Sequence, residues 1–299
     1  MMKRKVDGVL LLDKPVGLTS NTALQKAKRL FNAAKAGHTG TLDPFASGLL
    51  PLCLGEATKF SQFLLDADKV YLAEVQLGVR TSSGDLDGDV LSTRPVALSV
   101  AQIEAALPAF RGEIEQTPPM HSALKHHGRP LYEYARQGID IPRQARRVHV
   151  HALTLEGFAE ARCTLRVHCS KGFYVRALAD DLGEALGCGA HLVGLRRLAS
   201  GDFDVADAVT LEVLAAMDEA DRDALLRPAD ALIQALPALT LDVESAWQIT
   251  HGQPLWLPRL ALATQYRVYD QGGRFLGAAE VNEDGKLAPK RLLSTQEEP

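Results

Sequence analysis

An α+β fold is expected for this chain, and three patterns in the sequence are compatible with it. Helical and strand periodicities mix irregularly through the first 236 residues, an alternating pattern marks a strand at 70–77, and short apolar runs split by Gly and Pro close the chain. These patterns are compatible with several mixed topologies and do not by themselves select one.

Val9–Leu12 reads as a short buried strand, ended by the turn Asp13-Lys14-Pro15-Val16-Gly17. Thr19 or Ser20 can cap a helix whose apolar positions are Leu24, Ala27, Leu30 and Phe31. Further on, Tyr71, Ala73, Val75 and Leu77 alternate with Val70, Leu72, Glu74 and Gln76, which predicts a strand buried largely on both faces. Ser99 and Gln102 form a capping box for a helix that buries Ile103, Leu107 and Phe110. Residues 115–147 are irregular and basic and carry Tyr132 and Tyr134. Strands are expected near 148–156 and 162–169. In the second, Cys163, Leu165, Val167 and Cys169 share one face, so these cysteines read as core residues, not ligands. The stretch Ser170–Arg176 leads into a helix with Leu178, Leu182, Ala185 and Leu186 inward and Gly187 as its stop. The acidic segment 202–230 is expected to be helical from about 211. Around Ala235-Leu236-Pro237 the texture changes to that of a small β module, so the expected domains are 1–236 and 237–299.

The composition of the 299-residue chain, 46% hydrophobic and 23% charged, is that of an ordinary soluble globular protein with a substantial core. Lys3, Arg4 and Lys5 ahead of Val9–Leu12 mimic the start of a secretion signal. The apolar run is too short, however, Asp7 and Asp13 bracket it, and no small-residue cleavage site follows. Four cysteines without a C-x-x-C pair agree with a cytoplasmic location, and no membrane association is expected. The net charge of −4 hides an asymmetry: nine acids against Arg222 and Arg227 give residues 202–230 a local charge of −7, and removing them leaves +3. Basic residues gather at 3–5, at 26–38 and at 125–147, where Lys125, Arg129 and Arg143 are candidates for contacts to a phosphate backbone.

The most informative stretch is Ala36–Pro51. Glycines at 37, 40 and 48 and prolines at 44 and 51 make it an irregular loop that carries His38 and Asp43. A shaped loop bearing an imidazole and a carboxylate is a common setting for chemistry, while Asp-Pro is also an ordinary turn opener. Other patterns fail on inspection. Asp85, Asp87 and Asp89 resemble a calcium loop, but Val90 and Val96 stand where Gly and Glu are required, so the segment reads as a solvated turn. His149 and His151 share a strand face without a third ligand nearby in sequence and read as surface histidines, as do His126 and His127. No phosphate-binding glycine loop and no G-x-S-x-G elbow is present.

Four segments together resemble the bacterial tRNA pseudouridine-55 synthases: LLLDKPVGLTS (10–20), AGHTGTLDPFASGLLPLCLGEATKF (36–60), TPPMHSALKHHGRPLYEYARQG (117–138) and SKGFYVRALADDLGEALGCGAHL (170–192). The resemblance spans about the first 200 residues in order and spacing. It implies a mixed, mainly antiparallel central sheet with flanking helices, an RNA-contacting insertion at about 115–147, and a small PUA-like RNA-binding domain at the end. It further implies isomerisation of a T-loop uridine, number 55 of tRNA, without metal or organic cofactor, by a protein expected to act as a monomer on the T-arm. Asp43 matches the family's nucleophilic aspartate, Arg176 the arginine paired with it, and Tyr71 the tyrosine that stacks on the base and is placed to take the C5 proton. Tyr174 and Leu195 match pocket-lining residues, His38 the residue that holds the displaced loop, and Lys14 belongs to the motif ordered beside the catalytic loop. A closed pocket raises a carboxylate's pKa, and a neighbouring guanidinium opposes this by roughly 1–3 units. The chain departs from the pattern at His121, where tyrosine is usual, and at Phe173 and Ser83, where threonine is usual. Two other classes compete: a non-catalytic RNA-binding protein on the same fold, which has no need of a buried acid, and a hydrolase, which calls for a metal or a second catalytic carboxylate.

Overall fold

The computed structural model describes residues 3–122 and 124–294. Its centre is a nine-stranded sheet. The principal strands are β1 (Gly8–Lys14), β2 (Ala36–His38), β3 (Ser47–Leu54), β4 (Lys69–Leu77), β5 (Gly112–Gln116), β6 (Arg146–Ala159), β7 (Arg162–Cys169) and β8 (Ala190–Ser200). The sheet runs β1-β3-β8-β4-β7-β6-β5, with β2 on β3 and the two-residue strand Phe203–Asp204 on β8. Every pairing is antiparallel except β3 with β8, so the sheet is mixed and mainly antiparallel as expected.

The helices form where side chains can close their ends. Helix α1 (Ser20–Leu30) starts at Thr19, whose hydroxyl accepts from the Thr22 N–H, and buries Ala23, Leu24 and Ala27. Helix α2 (Val100–Ala106) has the full capping box of Ser99 and Gln102 and buries Ile103. Helix α3 (Val175–Ala185) buries Leu178 and Leu182 and ends before Gly187, whose φ of +77° suits glycine. Ala185, expected inside, is exposed; Gly183 takes the inner position, so close to β8 that a Cβ there would sit 2.2 Å from the Ala190 nitrogen. A backbone approach of that kind leaves no periodic apolar signature.

One side of the sheet and α3 enclose a core that includes Ala73, Val75, Leu77, all of Cys163, Leu165, Val167 and Cys169, and Leu182. The four cysteines are free and buried. Strand β4 corrects the expectation of burial on both faces. Its Ala73, Val75 and Leu77 are covered, whereas Val70, Leu72 and Gln76 are half-buried and Glu74 is exposed, because the polar residues of that face meet solvent. A second core lies under α1 and β1, and Tyr71 and Leu195 pack against both.

A second, four-stranded sheet is built from Ala238–Thr240, Gln265–Tyr269, Phe275–Val281 and Leu287–Leu292. It is fastened to the first by Phe275 against Phe60 at 5.3 Å between rings, by Lys59 Nζ donating to the Leu292 carbonyl at 2.9 Å, and by the Ser294 N–H donating to Glu56 at 2.6 Å. Ala278 belongs to the same buried cluster as Val9 and Leu49. No helix among the described residues is long and apolar enough to cross a membrane.

Candidate active site

The irregular loop expected over 36–51 is confined to residues 39–46, because 36–38 is β2 and 47–51 the first part of β3, strands that pair with each other in the sheet. The backbone of the loop between them is pinned from several directions. The Gly17 N–H donates to the Pro44 carbonyl at 2.7 Å, and Ser20 Oγ both accepts from the Leu42 N–H at 2.7 Å and donates to the Leu42 carbonyl at 3.0 Å. The Ala46 N–H donates to the Asp43 carbonyl at 3.0 Å, so the Asp-Pro segment is indeed a turn and the same turn aims the carboxylate. Lys14 is wholly buried and its ammonium donates to the Pro15 and Leu18 carbonyls at 2.8 and 2.7 Å, which fixes the turn from which Gly17 reaches Pro44. Burial lowers the Lys14 pKa to about 8, against the attraction of Asp43.

Arg176, in the first turn of α3, is the hub of the site. Its Nη2 lies 3.2 Å from Asp43 Oδ2 and donates to the His121 carbonyl at 2.6 Å, while Nη1 lies 3.3 Å from Asp85 Oδ2. Only the planar guanidinium fork offers donors in these several directions at once. The Arg176 side chain is 8% exposed and that of Asp85 6%, whereas Asp43 keeps 35% of its side chain open. Of the two carboxylates on this cation, Asp43 is therefore the one that can meet a ligand. Burial holds the Asp43 pKa above the usual carboxylate value. Arg176 pulls the other way, and Asp85 and Asp87 add to the rise. Desolvation outweighs the guanidinium because Arg176 divides its charge between two acids.

Asp85 was read from sequence as part of a solvated turn, and that reading is overturned. It is buried, accepts from the Ser83 hydroxyl and from the Asp87 N–H at 3.1 Å, and faces Arg176. The serine that replaces the usual threonine thus still supplies the hydroxyl its neighbour needs.

Tyr71 sits on β4 directly opposite Arg197 of β8, with Leu195 two residues away opposite Ala73. Arg197 is almost wholly buried, and its guanidinium donates to the Leu49 carbonyl at 2.7 Å and to the Gly40 carbonyl at 3.4 Å. Burial raises the Tyr71 pKa; Arg197 opposes this and the charge of Asp43 reinforces it. Tyr174 is half-buried just before α3, its backbone gripped by Gln116 through an N–H donated to Oε1 at 3.0 Å and a carbonyl accepting from Nε2 at 3.2 Å. Its hydroxyl pKa is also raised, by burial first, with Arg146 and Arg176 opposing and Asp43 reinforcing. His38 ends β2; burial and the nearby Arg197 depress its pKa, and its Nδ1 is buried without a hydrogen-bond partner among the described residues.

The structure thus gathers Asp43, Arg176, Tyr71, Tyr174 and Lys14 into one electrostatically coupled site, with Leu195 beside Tyr71 and His38 at the root of the loop. Sequence reasoning missed Asp85 and Arg197. Arg197 falls on a strand whose alternation slips twice, between Leu192 and Gly194 and between Arg197 and Ala199, so nothing in the pattern assigned it an inward face. In the insertion, Lys125 is exposed on a two-residue hairpin strand. Arg129 pairs with Glu133 at 3.3 Å and lies over the Tyr134 ring, and Arg143 is bound to Asp140 and the Pro118 carbonyl.

Comparison with known proteins accords with this geometry. Residues 28–175 match a model described as TruB family pseudouridylate synthase (N terminal domain). Residues 176–234 match tRNA pseudouridylate synthase B C-terminal domain, and 237–293 match Pseudouridine synthase II TruB, C-terminal. The chain is 60% identical to the tRNA pseudouridine synthase B of Thiobacillus denitrificans over 295 residues, 98% of each chain. It is 53% identical to that of Methylobacillus flagellatus over 292 residues, 98% of this chain and 97% of the other. A solved Cbf5-Nop10-Gar1 complex contains a chain that aligns with a TM-score of 0.74 at 27% identity, over 95% of this chain and 84% of that one.

Proposed function

Since the chain belongs to the TruB family of pseudouridylate synthases, we propose that it isomerises uridine 55 in the T-loop of tRNA, with Asp43 as the nucleophile. The observation that carries this reading is the part-open Asp43 carboxylate held against a buried Arg176, next to a tyrosine of matching position. The reaction breaks the N1–C1′ bond, turns the uracil and rejoins it through C5, from which a proton leaves. Asp43 forms a transient covalent bond to the substrate while the closed pocket holds the detached fragment beside it. That bond is broken again as the C5-linked product forms and returns the free carboxylate; a carboxylate is a suitable nucleophile once ionised. The target uridine must leave its stack, at about a few kcal/mol. Tyr71 stacks on the flipped uracil and takes the C5 proton; burial works against its phenolate, and the Arg197 charge facing it works in favour. Tyr174 and Leu195 close the pocket, neutral His38 holds the displaced loop, and Lys14 keeps the first motif against the loop that carries Asp43.

In this reading residues 1–236 form the catalytic domain and 237–299 a PUA-like RNA-binding domain, with the insertion at 115–147 closing over the T-arm. The protein acts as a monomer in the cytoplasm. The deciding measurement is tritium release from tRNA carrying 5-tritiated uridine. Wild type should release tritium, and Asp43→Asn should release none while still binding tRNA. Wild type that binds unmodified tRNA without release would sink the catalytic reading and favour a purely RNA-binding protein.

A further inference from the structure

On the far side of the sheet from Tyr71, three histidines and an aspartate converge from three places in the chain. His168 alternates on β7 with the buried Val167 and Cys169, and so projects from the outer face. It pairs with Val70 of β4 on one side and with Ala152 of β6 on the other. A register slip between Val150 and Ala152 places His151 at a bulge, and bulges re-aim side chains. Asp68 lies in the turn immediately before β4. Asp68 Oδ2 stands 2.9 Å from His151 Nε2 and 4.0 Å from His168 Nε2. The ligand atoms of all three residues lie within 4.8 Å of one another. The His151 and His168 rings are 4.6 Å apart, and the His149 ring follows at 4.7 Å from His151.

We propose that Asp68, His151 and His168 bind a first-row transition ion of the zinc class, with His149 available as a fourth ligand. Two imidazoles and a carboxylate are a donor set that suits Zn²⁺, and ligand atoms around a tetrahedral zinc stand about 3.3 Å apart. The His151–Asp68 separation of 2.9 Å is that of a hydrogen bond, so the ion would replace the proton between them and part the two atoms slightly. Bringing in His168 asks for side-chain rotation of an ångström or so by half-buried or exposed groups. The backbone need not move, because the sheet register holds the three attachment points. The two nearest ammonium groups point to other partners, although the Lys69 charge is felt at Asp68. Lys69 turns its ammonium to the carbonyls of Leu64, Leu65 and Ala67, and Lys171 is paired with Asp66 at 3.1 Å. The bound ion would clamp β6, β7 and the entry to β4, at a distance from Asp43. The site does not depend on the proposed reaction.

The test uses the full-length chain without a histidine tag, stripped with chelator, and titrated calorimetrically with Zn²⁺. One equivalent should bind. His168→Ala and Asp68→Asn should each weaken binding about tenfold or more, and His126→Ala should leave it unchanged. Wild type alone gives an independent reading: zinc should shift the ring resonances of His151 and His168 in imidazole-selective NMR, and cobalt(II) should give the intense visible bands of a low-coordinate site. Absence of stoichiometric binding overturns the proposal, as does binding that neither substitution weakens or that leaves those two rings unmoved.

Discussion

Gly48 is where the loop that bears Asp43 is tied to the sheet, and Gly48→Ala is the sharpest test of how the fold positions that acid. It lies on β3 between Lys14 of β1 and Arg197 of β8, with φ of +101°. A Cβ at this position would meet the Arg197 carbonyl oxygen at 2.3 Å and the Arg197 nitrogen at 2.7 Å. Both are backbone atoms within a sheet, so no rotamer change relieves the clash, and restoring ordinary contact moves the strands apart by roughly 1 Å. The left-handed backbone alone costs an alanine about 1–2 kcal/mol, and forcing atoms into a packed interior adds about 1–3. The expected loss is about 2–5 kcal/mol, a large share of the 5–15 that ordinarily holds a protein together. Gly17→Ala supplies the control: its φ is +88° and nothing lies within 4 Å of the added carbon, so only the backbone cost of about 1–2 kcal/mol applies. Urea unfolding of the two variants beside wild type measures the difference. Tritium release should also fall about a hundredfold in Gly48→Ala, since an ångström of misplacement has that effect on a reacting group. A Gly48→Ala protein no less stable than Gly17→Ala would refute the reasoning.

Arg176→Lys keeps the charge but cannot reach Asp43, Asp85 and the His121 carbonyl together, so tritium release should drop about 10²–10³-fold with tRNA binding retained. Activity within tenfold of wild type would show that the fork is dispensable. His121→Tyr should change activity less than about threefold, because Arg176 uses the backbone carbonyl and not the imidazole; a large loss would assign the ring a role. Burial lowers both Lys14 and Lys69 to about 8, so between pH 8 and 10.5 the unfolded chain holds protons that the folded chain has released. Their contribution to stability is therefore least below pH 8 and grows as pH rises through that window. The stability of wild type relative to Lys14→Met/Lys69→Met should increase from pH 7.5 to 9.5 in urea unfolding, and a constant difference would contradict the shifts.

What was legible in the sequence was what lies close together in it. The turn chemistry of residues 13–20 and 39–46, the helix caps at Thr19 and Ser99 and the phase of Cys163 to Cys169 are local, and the structure follows them; the two ends of the stretch 36–51 became strand because their partners lie elsewhere in the sheet. Asp85 was missed because its burial comes from a partner 91 positions later, and an acid in a Ser-Gly-Asp turn otherwise resembles any exposed one. Arg197 and Gly183 were missed for a related reason. Bulges on either side reset the alternation around Arg197, and Gly183 packs through its missing side chain. His151, His168 and Asp68 likewise meet only once three strands are aligned.

Arg176 and its two acids also set the direction in which the chemistry runs downhill. At rest one positive charge serves two negative ones, and the whole cluster carries a net charge of −1 within a poorly solvated space. When Asp43 bonds to the substrate its negative charge passes to the uracil, away from the guanidinium, and Arg176 is left with a single carboxylate, Asp85, fully matched. The acid that stays behind thus makes the departure of the other's charge favourable. An Asp85→Asn protein would lose that push: Arg176 would be left with Asp43 alone, the nucleophile would be more comfortable as a free carboxylate, and the covalent adduct correspondingly harder to form.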